Sequence, residues 1–332
     1  MADKEEQDIK KLLAKAFAES KDGFISGQYL ADLIGCSRTA VWKHIDKLRK
    51  EGFVVEAVKK KGYRIVSKPD HISETEILMG LETSFLGQQI HTYDTVSSTQ
   101  IIAKELASNG AADGTVVISE EQSAGKGRLQ RKWHSPADGG VWMSLILRPD
   151  IPPYRAPQLT LLTAVAVVKT LAQFDIQAGI KWPNDVLING KKITGILTEL
   201  NAEADLVHFV IIGIGLNVNQ DISSFPDELQ GIATSMFNEK NKKVARAYVI
   251  QRLLKNLEEL YVLFLKQGFE PIKVLWEKHS TTIGKAVTVN NSFETIEGTA
   301  IGINQDGVLI VRDSNRKERL IYSGDITIHS EN

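Results

Sequence analysis

Glu121-Gln122-Ser123-Ala124-Gly125-Lys126-Gly127-Arg128-Leu129-Gln130-Arg131-Lys132-Trp133 is the stretch around which the chain is organised. From Gly125 onward, nine residues hold four cations, two glycines and one tryptophan. Apolar residues neither recur at i, i+3 and i+4 nor alternate, so neither an amphipathic helix nor a half-buried strand is expected. What remains is a flexible, strongly positive loop ending in a large flat ring. Such a loop suits a polyphosphate, whose oxygens take Lys and Arg donors and the backbone N–H groups that glycine lets come close. A solvated surface loop has the same composition.

Working outward, Val116-Val117-Ile118-Ser119 reads as a buried strand running straight into this loop. Before it, Ile90-His91-Thr92-Tyr93 leads through a polar turn, Asp94 to Gln100, into a helix from Ile101 to Leu106. After it come a strand, Val141 to Leu147, and a long apolar helix, Gln158 to Phe174. Ile180-Lys181-Trp182-Pro183-Asn184-Asp185 then precedes two apolar runs flanking Asn189-Gly190. Asn-Gly in that setting signals a hairpin with a type I′ turn. Phe209 to Val218 is a long buried strand whose Gly213 and Gly215 let something approach the backbone closely. Trp142 and Trp182 read as core packing. Gly125-Lys126-Gly127 and Gly213-Ile214-Gly215 each open like a dinucleotide fingerprint, but the third glycine and the following helix are missing, and no Walker A sequence occurs.

With 332 residues the chain is expected to hold two or three domains. Residues 1–66 carry 14 Lys/Arg against 10 Asp/Glu, while the remainder carries 26 against 31. A basic N-terminal part on an acidic remainder predicts a nucleic-acid contact confined to the N-terminus. Cys36 is the single cysteine, which excludes a disulfide framework and a cysteine zinc site. No signal core and no run of 18 apolar residues occurs, so a cytoplasmic protein without a membrane span is expected.

Residues 1–66 divide into a helix carrying Ile9, Leu12, Leu13, Ala16 and Phe17, a second helix from Gly27 to Ile34, and a third from Arg38 to Lys50 capped by Ser37. The span Gly27 to Asp46 has the helix-turn-helix pattern, whose second helix enters the major groove. Arg38, Thr39, Trp42 and Lys43 lie on that helix's outer face. Phe53-Val54-Val55 and Tyr63 to Val66 then form a hairpin whose tip, Lys59-Lys60-Lys61, would meet phosphate. A three-helix protein-binding module is the alternative. Residues 67–83 read as a joint: Ser67-Lys68-Pro69-Asp70 as punctuation, then a short helix through Leu81 with Ser73 as cap and Glu76 closing a capping box. Residues 84–275 read as the main α/β body, which holds the basic loop. Residues 276–332 read as a five-stranded β module with a hairpin at Asn304-Gln305-Asp306-Gly307.

Gln122 through Trp133, Lys181-Trp182-Pro183-Asn184-Asp185, Lys192 with Gly195, and Gly213 to Asn217 together resemble biotin–protein ligases. With the winged helix in front, the whole chain is similar to the bifunctional biotin ligases and biotin-operon repressors of bacteria. The resemblance implies a multidomain α+β protein with a winged helix-turn-helix, a central α/β mixed sheet of the biotin/lipoate ligase kind and an SH3-like barrel. The implied activity is formation of biotinyl-5′-AMP from biotin and ATP with Mg²⁺. Biotin then passes to a lysine of the biotin carboxyl carrier protein, an acetyl-CoA carboxylase subunit or pyruvate carboxylase domain, and a homodimer represses at operator DNA.

Carried onto this sequence, Lys126, Arg128 and Lys192 face the carboxylate and α-phosphate. Ser98, Thr99, Gln100 and Gln122 orient biotin's ureido ring, and Gly125, Gly127, Gly195, Gly213 and Gly215 give close approach. Arg131, Trp133, Asn184 and Asn217 contact the nucleotide, Trp133 as a cover that excludes water. Biotin's carboxylate needs no base, so the first step asks only for charge neutralisation and alignment. The acceptor lysine does need one. Asp185 is the candidate, with Mg²⁺ binding as its competing role. Lys126 stands where the family's loop usually has arginine, keeping charge but losing bidentate geometry. A lipoate or octanoate ligase, and a ligand sensor without catalysis, are the rival readings.

Overall fold

The computed structural model describes residues 2–20, 23–69, 71–291 and 294–329. Asp70, the last residue of the expected joint signal, lies outside them. Helices α1 (Ala2–Glu19), α2 (Gly27–Ile34) and α3 (Arg38–Lys50) pack through Leu13, Phe17, Leu30, Val41, Ile45 and Leu48. Ser26 and Ser37 accept the backbone N–H groups of Tyr29 and Ala40, as N-caps do. Gly35, with φ 64, ends α2 in the left-handed conformation that the tight turn requires. The wing is β1 (Val54–Val58) against β2 (Gly62–Ser67). Phe53, expected in the strand, turns into the core instead and is 2% exposed.

The joint is no loose connector. Helix α4 (Glu74–Met79) ends short of Leu81, and Ser73 makes no capping bond. Ser73 and Thr75 instead donate their hydroxyls to Glu51 at 3.3 and 2.6 Å, while Lys10 bridges Glu51 and Glu74. Burial pushes the Glu76 carboxyl up, so the expected capping-box partner is drawn inward. Ile72, Ile77 and Leu78 belong to the main hydrophobic core, which seats the winged module on the body.

The body is a sheet of β3 (Ile90–Val96), β4 (Val116–Gln122), β5 (Gly140–Leu147), β6 (Gly179–Lys181), β7 (Asp185–Ile188), β8 (Lys191–Glu203) and β9 (Leu206–Asn217). Their order is β3-β4-β5-β9-β8-β7-β6, parallel between β3 and β4 and antiparallel elsewhere. The polar turn expected after Tyr93 is still strand, because Thr95 and Val96 continue the ladder opposite Glu121 and Gln122. Helix α5 (Thr99–Ser108) covers one face through Ala103, Ala107, Val117, Ile146 and Ile211. The other face packs against α6 (Ala156–Ala172) and, after the short α7 (Asp227–Gln230) and α8 (Met236–Lys240), against α9 (Arg246–Gln267) and α10 (Glu270–His279). Asn189 and Gly190 have φ 49 and 79, the type I′ turn.

Helix α10 runs through residue 276, with Trp276 fully buried. Strands β10 (Ala286–Asn290), β11 (Thr295–Ile303), β12 (Leu309–Asp313), β13 (Glu318–Ile321) and β14 (Asp325–Ile328) follow as an antiparallel sheet ordered β13-β12-β11-β10-β14. Its buried Val287, Val289, Leu309 and Ile326 join the main core, and the Trp182 indole donates to Gly307 O across the joint at 3.2 Å. No described helix is long and apolar enough to cross a membrane.

Candidate active site

Strand register builds the floor of the site. Trp142 pairs with Gly215, which pairs with Gly195; Ser144 pairs with Gly213, which pairs with Leu197; Ile146 pairs with Ile211, which pairs with Glu199. Period-two alternation puts all three rows on the α5 face. The glycines are there for two of the protein's own side chains. A Cβ on Gly195 would meet Trp133 Cζ3 at 3.0 Å, and one on Gly213 would meet Gln100 Oε1 at 2.9 Å. Trp133 also blocks the space over Gly215. Its ring meets Trp142 edge-on at 6.4 Å and 75°, with Lys192 Nζ 5.3 Å from its centre. The expected mobile cover is therefore an indole seated on the sheet, because the glycine rows leave it a flat bed.

The basic loop is folded back on itself. Trp133 N donates to Gly125 O at 2.9 Å and Gly127 N to Arg131 O at 2.7 Å, closing a hairpin-like turn in which Leu129 and Gln130 have φ 54 and 60. Arg131 pairs with Asp325 at the start of β14, and Arg128 Nη1 donates to Asn184 Oδ1 at 3.2 Å. Burial pushes the Arg128 guanidinium down, while Asp325 and Asp185 hold it up. An arginine keeps its charge regardless.

These elements enclose a cavity of about 390 Å³. Ser98, Thr99, Gln100, Gln122, Lys126, Gly127, Arg128, Arg131, Trp133, Asn184, Asp185, Lys192, Gly195, Gly213, Gly215 and Asn217 all line it. Gly125, expected against the ligand, lies behind the wall: it is buried, and a Cβ there would strike Trp133 O and Ser135 Oγ at 2.6 and 2.7 Å. Lys192 Nζ sits 2.7 Å from Asp185 Oδ1, a charge contact without hydrogen-bond alignment. Asn184 and Asn217, expected on the nucleotide, donate their amides to Ile196 O and Thr234 O, each at 2.9 Å.

At one side of the cavity a polar chain connects Ser135, Gln122, Thr99, Ser144, Gln100 and Glu199. Arg128, Arg131 and Lys192 also line the cavity, with two carboxylates, Asp185 and Asp325. Among the described residues no three His, Cys, Asp or Glu cluster as a metal site.

Several lining residues were not anticipated. Phe225, Leu229 and Ile232 come from the segment around α7, and Asp325 and Ile326 from the C-terminal sheet. His134 also lines the cavity, its ring 6.3 Å from Phe225, and burial pushes its imidazole down. Ser144, fully buried behind the lining, was findable, since it lies two residues past Trp142 on the same strand face. Asp325 had no local signal.

At the N-terminal module, Arg38, Thr39 and Trp42 of α3 and Lys59, Lys60 and Lys61 of the wing line one open groove of about 740 Å³. Trp42 is 52% exposed. Lys43 is exposed on the same helix but does not line the groove.

Residues 92–217 match the biotin/lipoate A/B protein ligase family, residues 7–64 an HTH domain, and residues 282–328 the biotin protein ligase C-terminal domain. The chain is 52% identical over 321 residues to the bifunctional ligase/repressor BirA of Bacillus subtilis (strain 168), covering 96% of this chain and 98% of that one. The protein of that name in Escherichia coli (strain K12) is 29% identical, over 87% and 88% of the two chains. Among solved structures, the biotin protein ligase from Aquifex aeolicus in complex with biotin and ATP superposes with a TM-score of 0.63 at 28% identity, covering 73% of this chain and 99% of that one.

Proposed function

Because the chain belongs to the biotin/lipoate A/B protein ligase family, in its bifunctional ligase/repressor form, we propose a division of labour within the cavity described above. The protein is a biotin protein ligase joined to a DNA-binding repressor module. One observation carries the residue assignments: a hydrogen-bonded polar group and a cation cluster line one cavity of about 390 Å³. Biotin's ureido ring lies at the polar wall, near Ser98, Thr99, Gln100 and Gln122. Its carboxylate meets the ATP α-phosphate at Lys126, Arg128 and Lys192.

Carboxylate oxygen bonds to the α-phosphorus, and the bond to the bridging oxygen of pyrophosphate breaks. The cations hold the two anions together against their repulsion, which is the electrostatic work this step needs. Arg131 and Trp133 serve the nucleotide, with the indole face as a platform. Asn184 and Asn217 act through Arg128 and the backbone of Thr234, as positioning groups. Mg²⁺ fits as a companion of ATP, since it takes one or two carboxylates with phosphate oxygens and water. Asp185 would hold it, and it would supply charge neutralisation on the phosphates.

In the second step the amine of the carrier-protein lysine attacks the acyl carbon, and AMP leaves with the bonding pair. Asp185 can accept the amine's proton once Lys192 has turned to phosphate. The acceptor is the biotin carboxyl carrier protein. The repressor acts in the cytoplasm as a homodimer on operator DNA. Past Gly195, β8 has a neighbour on one side only, as does β3, which leaves sheet edge for a second copy. Groove-lining cations of α3 and the wing support DNA as the N-terminal partner.

The deciding assay is ATP–pyrophosphate exchange. Exchange should depend on biotin, with no response to lipoate or octanoate. Exchange driven by lipoate, or none with any acid, sinks the reading.

A further inference from the structure

We propose that Glu199 is a positioning residue for biotin recognition. It fixes the direction of the polar chain and thereby makes the Thr99 hydroxyl an acceptor toward the cavity. This rests on the biotin assignment above and adds to it a residue that lies outside the cavity lining.

Glu199 Oε2 accepts from Gln100 Nε2 at 2.9 Å. A carboxylate offers acceptors only, so turning the Gln100 amide over would set oxygen against oxygen. The same Nε2 also approaches Leu197 O, but at 3.5 Å, so Glu199 is the nearer of two acceptors that keep the nitrogen end outward and the oxygen end inward. Gln100 Oε1 must then accept, and it does so from Ser144 Oγ at 2.8 Å. Ser144 is fully buried and owns one proton, which is now committed. At the 2.8 Å contact between Ser144 Oγ and Thr99 Oγ1, the donor can only be Thr99.

Thr99 in turn has one proton, so none is left for its 3.2 Å contact with Gln122 Oε1. Gln122 Oε1 already accepts from Thr99 N at 2.9 Å, and Gln122 Nε2 donates to Ser135 Oγ at 2.9 Å, which passes its proton to Trp133 O. Two oxygens, Thr99 Oγ1 and Gln122 Oε1, therefore stand 3.2 Å apart at the cavity wall with no proton between them. A ligand N–H placed there relieves their repulsion and can serve both, whereas an ether, thioether or carbonyl group, which has no proton to give, cannot. A ureido N–H is the matching group. Two oxygens facing each other at a largely buried wall repel until a proton comes between them, which favours a donor there over an acceptor.

The test is a double-mutant cycle in the full-length protein. Glu199→Gln replaces the fixed acceptor with a group that can also donate, and it lies at an exposed site where folding is not at risk. Ser144→Ala cuts the chain between Glu199 and Thr99. Glu199→Gln should raise the biotin KM roughly tenfold, as expected for one misdirected hydrogen bond. The ATP KM and the thermal midpoint should stay unchanged. In the Ser144→Ala background the Glu199 change should add nothing, because the two act through one chain. A biotin KM within twofold of wild type for Glu199→Gln overturns the proposal, and so do effects that multiply in the double variant. In either case an intact wild-type exchange activity leaves the ligase reading standing. Absence of biotin-dependent exchange in the wild type overturns both.

Discussion

Gly215→Ala separates a glycine kept for a ligand from a glycine kept for Trp133. The backbone there is outside the left-handed region, so alanine can adopt it and only space is at issue. The new methyl would stand 2.8 Å from Trp133 Cζ2 and nearer still to Nε1 and Cε2. Ordinary carbon contacts need ~3.5 Å or more, so the indole must move by roughly an ångström. That shift spoils the edge contact with Trp142 and the cation contact with Lys192. These are worth about 0.5–1.5 and 0.5–1 kcal/mol. The sum agrees with the ~1–3 kcal/mol usual for overpacking. At about 2–4 °C per kcal/mol the ligand-free midpoint should drop by roughly 2–10 °C.

Trp133→Ala removes all three atoms that lie closest to the new methyl, so Gly215→Ala should then cost almost nothing. Thermal unfolding of the four variants without ligand reads this directly. An equal drop in both backgrounds, or no drop in the wild type, would refute the assignment of the glycine to the indole.

Three further outcomes follow from other contacts. Asp325→Asn frees Arg131 from its pair; both groups are largely exposed, so the midpoint should barely move. Trypsin should nonetheless cut faster near Arg128 and Arg131, biotin plus ATP should suppress the cut, and cleavage indifferent to both changes would rule out the tether. Gly62→Ala sets a methyl into the Ile25 carbonyl at φ 109, so operator binding should be lost while exchange persists; retained DNA affinity would show that the wing tolerates it. Burial lowers the His134 imidazole from 6.5, so its share of stability is full above that value and drains away as pH falls through the folded value. His134→Gln should lose less stability than wild type on acidification from pH ~8 to ~5, and parallel curves would exclude this role.

Elements whose logic is local were legible in the chain. Ser37 before an apolar 3.6-residue rhythm marked the start of α3, and Asn189-Gly190 marked its hairpin to within a residue. Elements whose logic is tertiary were misread. Ser73 followed by Glu76 has the spelling of a capping box, yet Glu51 from another helix outbids the local bond for Ser73. Gly195 and Gly215 announced a close approach without saying by what, and the visitor proved to be a tryptophan more than sixty residues earlier. Asp325 reaches the basic loop only because the C-terminal sheet packs on the body, which no spacing within 320–328 encodes.

Three of the cavity's cations are already partnered before any phosphate arrives: Lys192 by Asp185, Arg131 by Asp325, and Arg128 by the Asn184 amide oxygen. Binding a triphosphate is therefore an exchange of partners. Each new phosphate contact must be set against the protein contact it replaces, so the net gain is smaller than the number of charges suggests. The arrangement has a compensating use. On the roles proposed above, Asp185 and Asp325 are placed to take back Lys192 and Arg131 as the phosphates leave, which would lower the hold on a leaving anion. Removing the Asp325 carboxylate should thus tighten pyrophosphate more than it tightens ATP, because the product carries more charge per atom into the same contacts. Product inhibition by pyrophosphate in Asp325→Asn, compared with wild type at equal ATP saturation, measures that difference, and an unchanged inhibition constant would mean that the loop's tether takes no part in release.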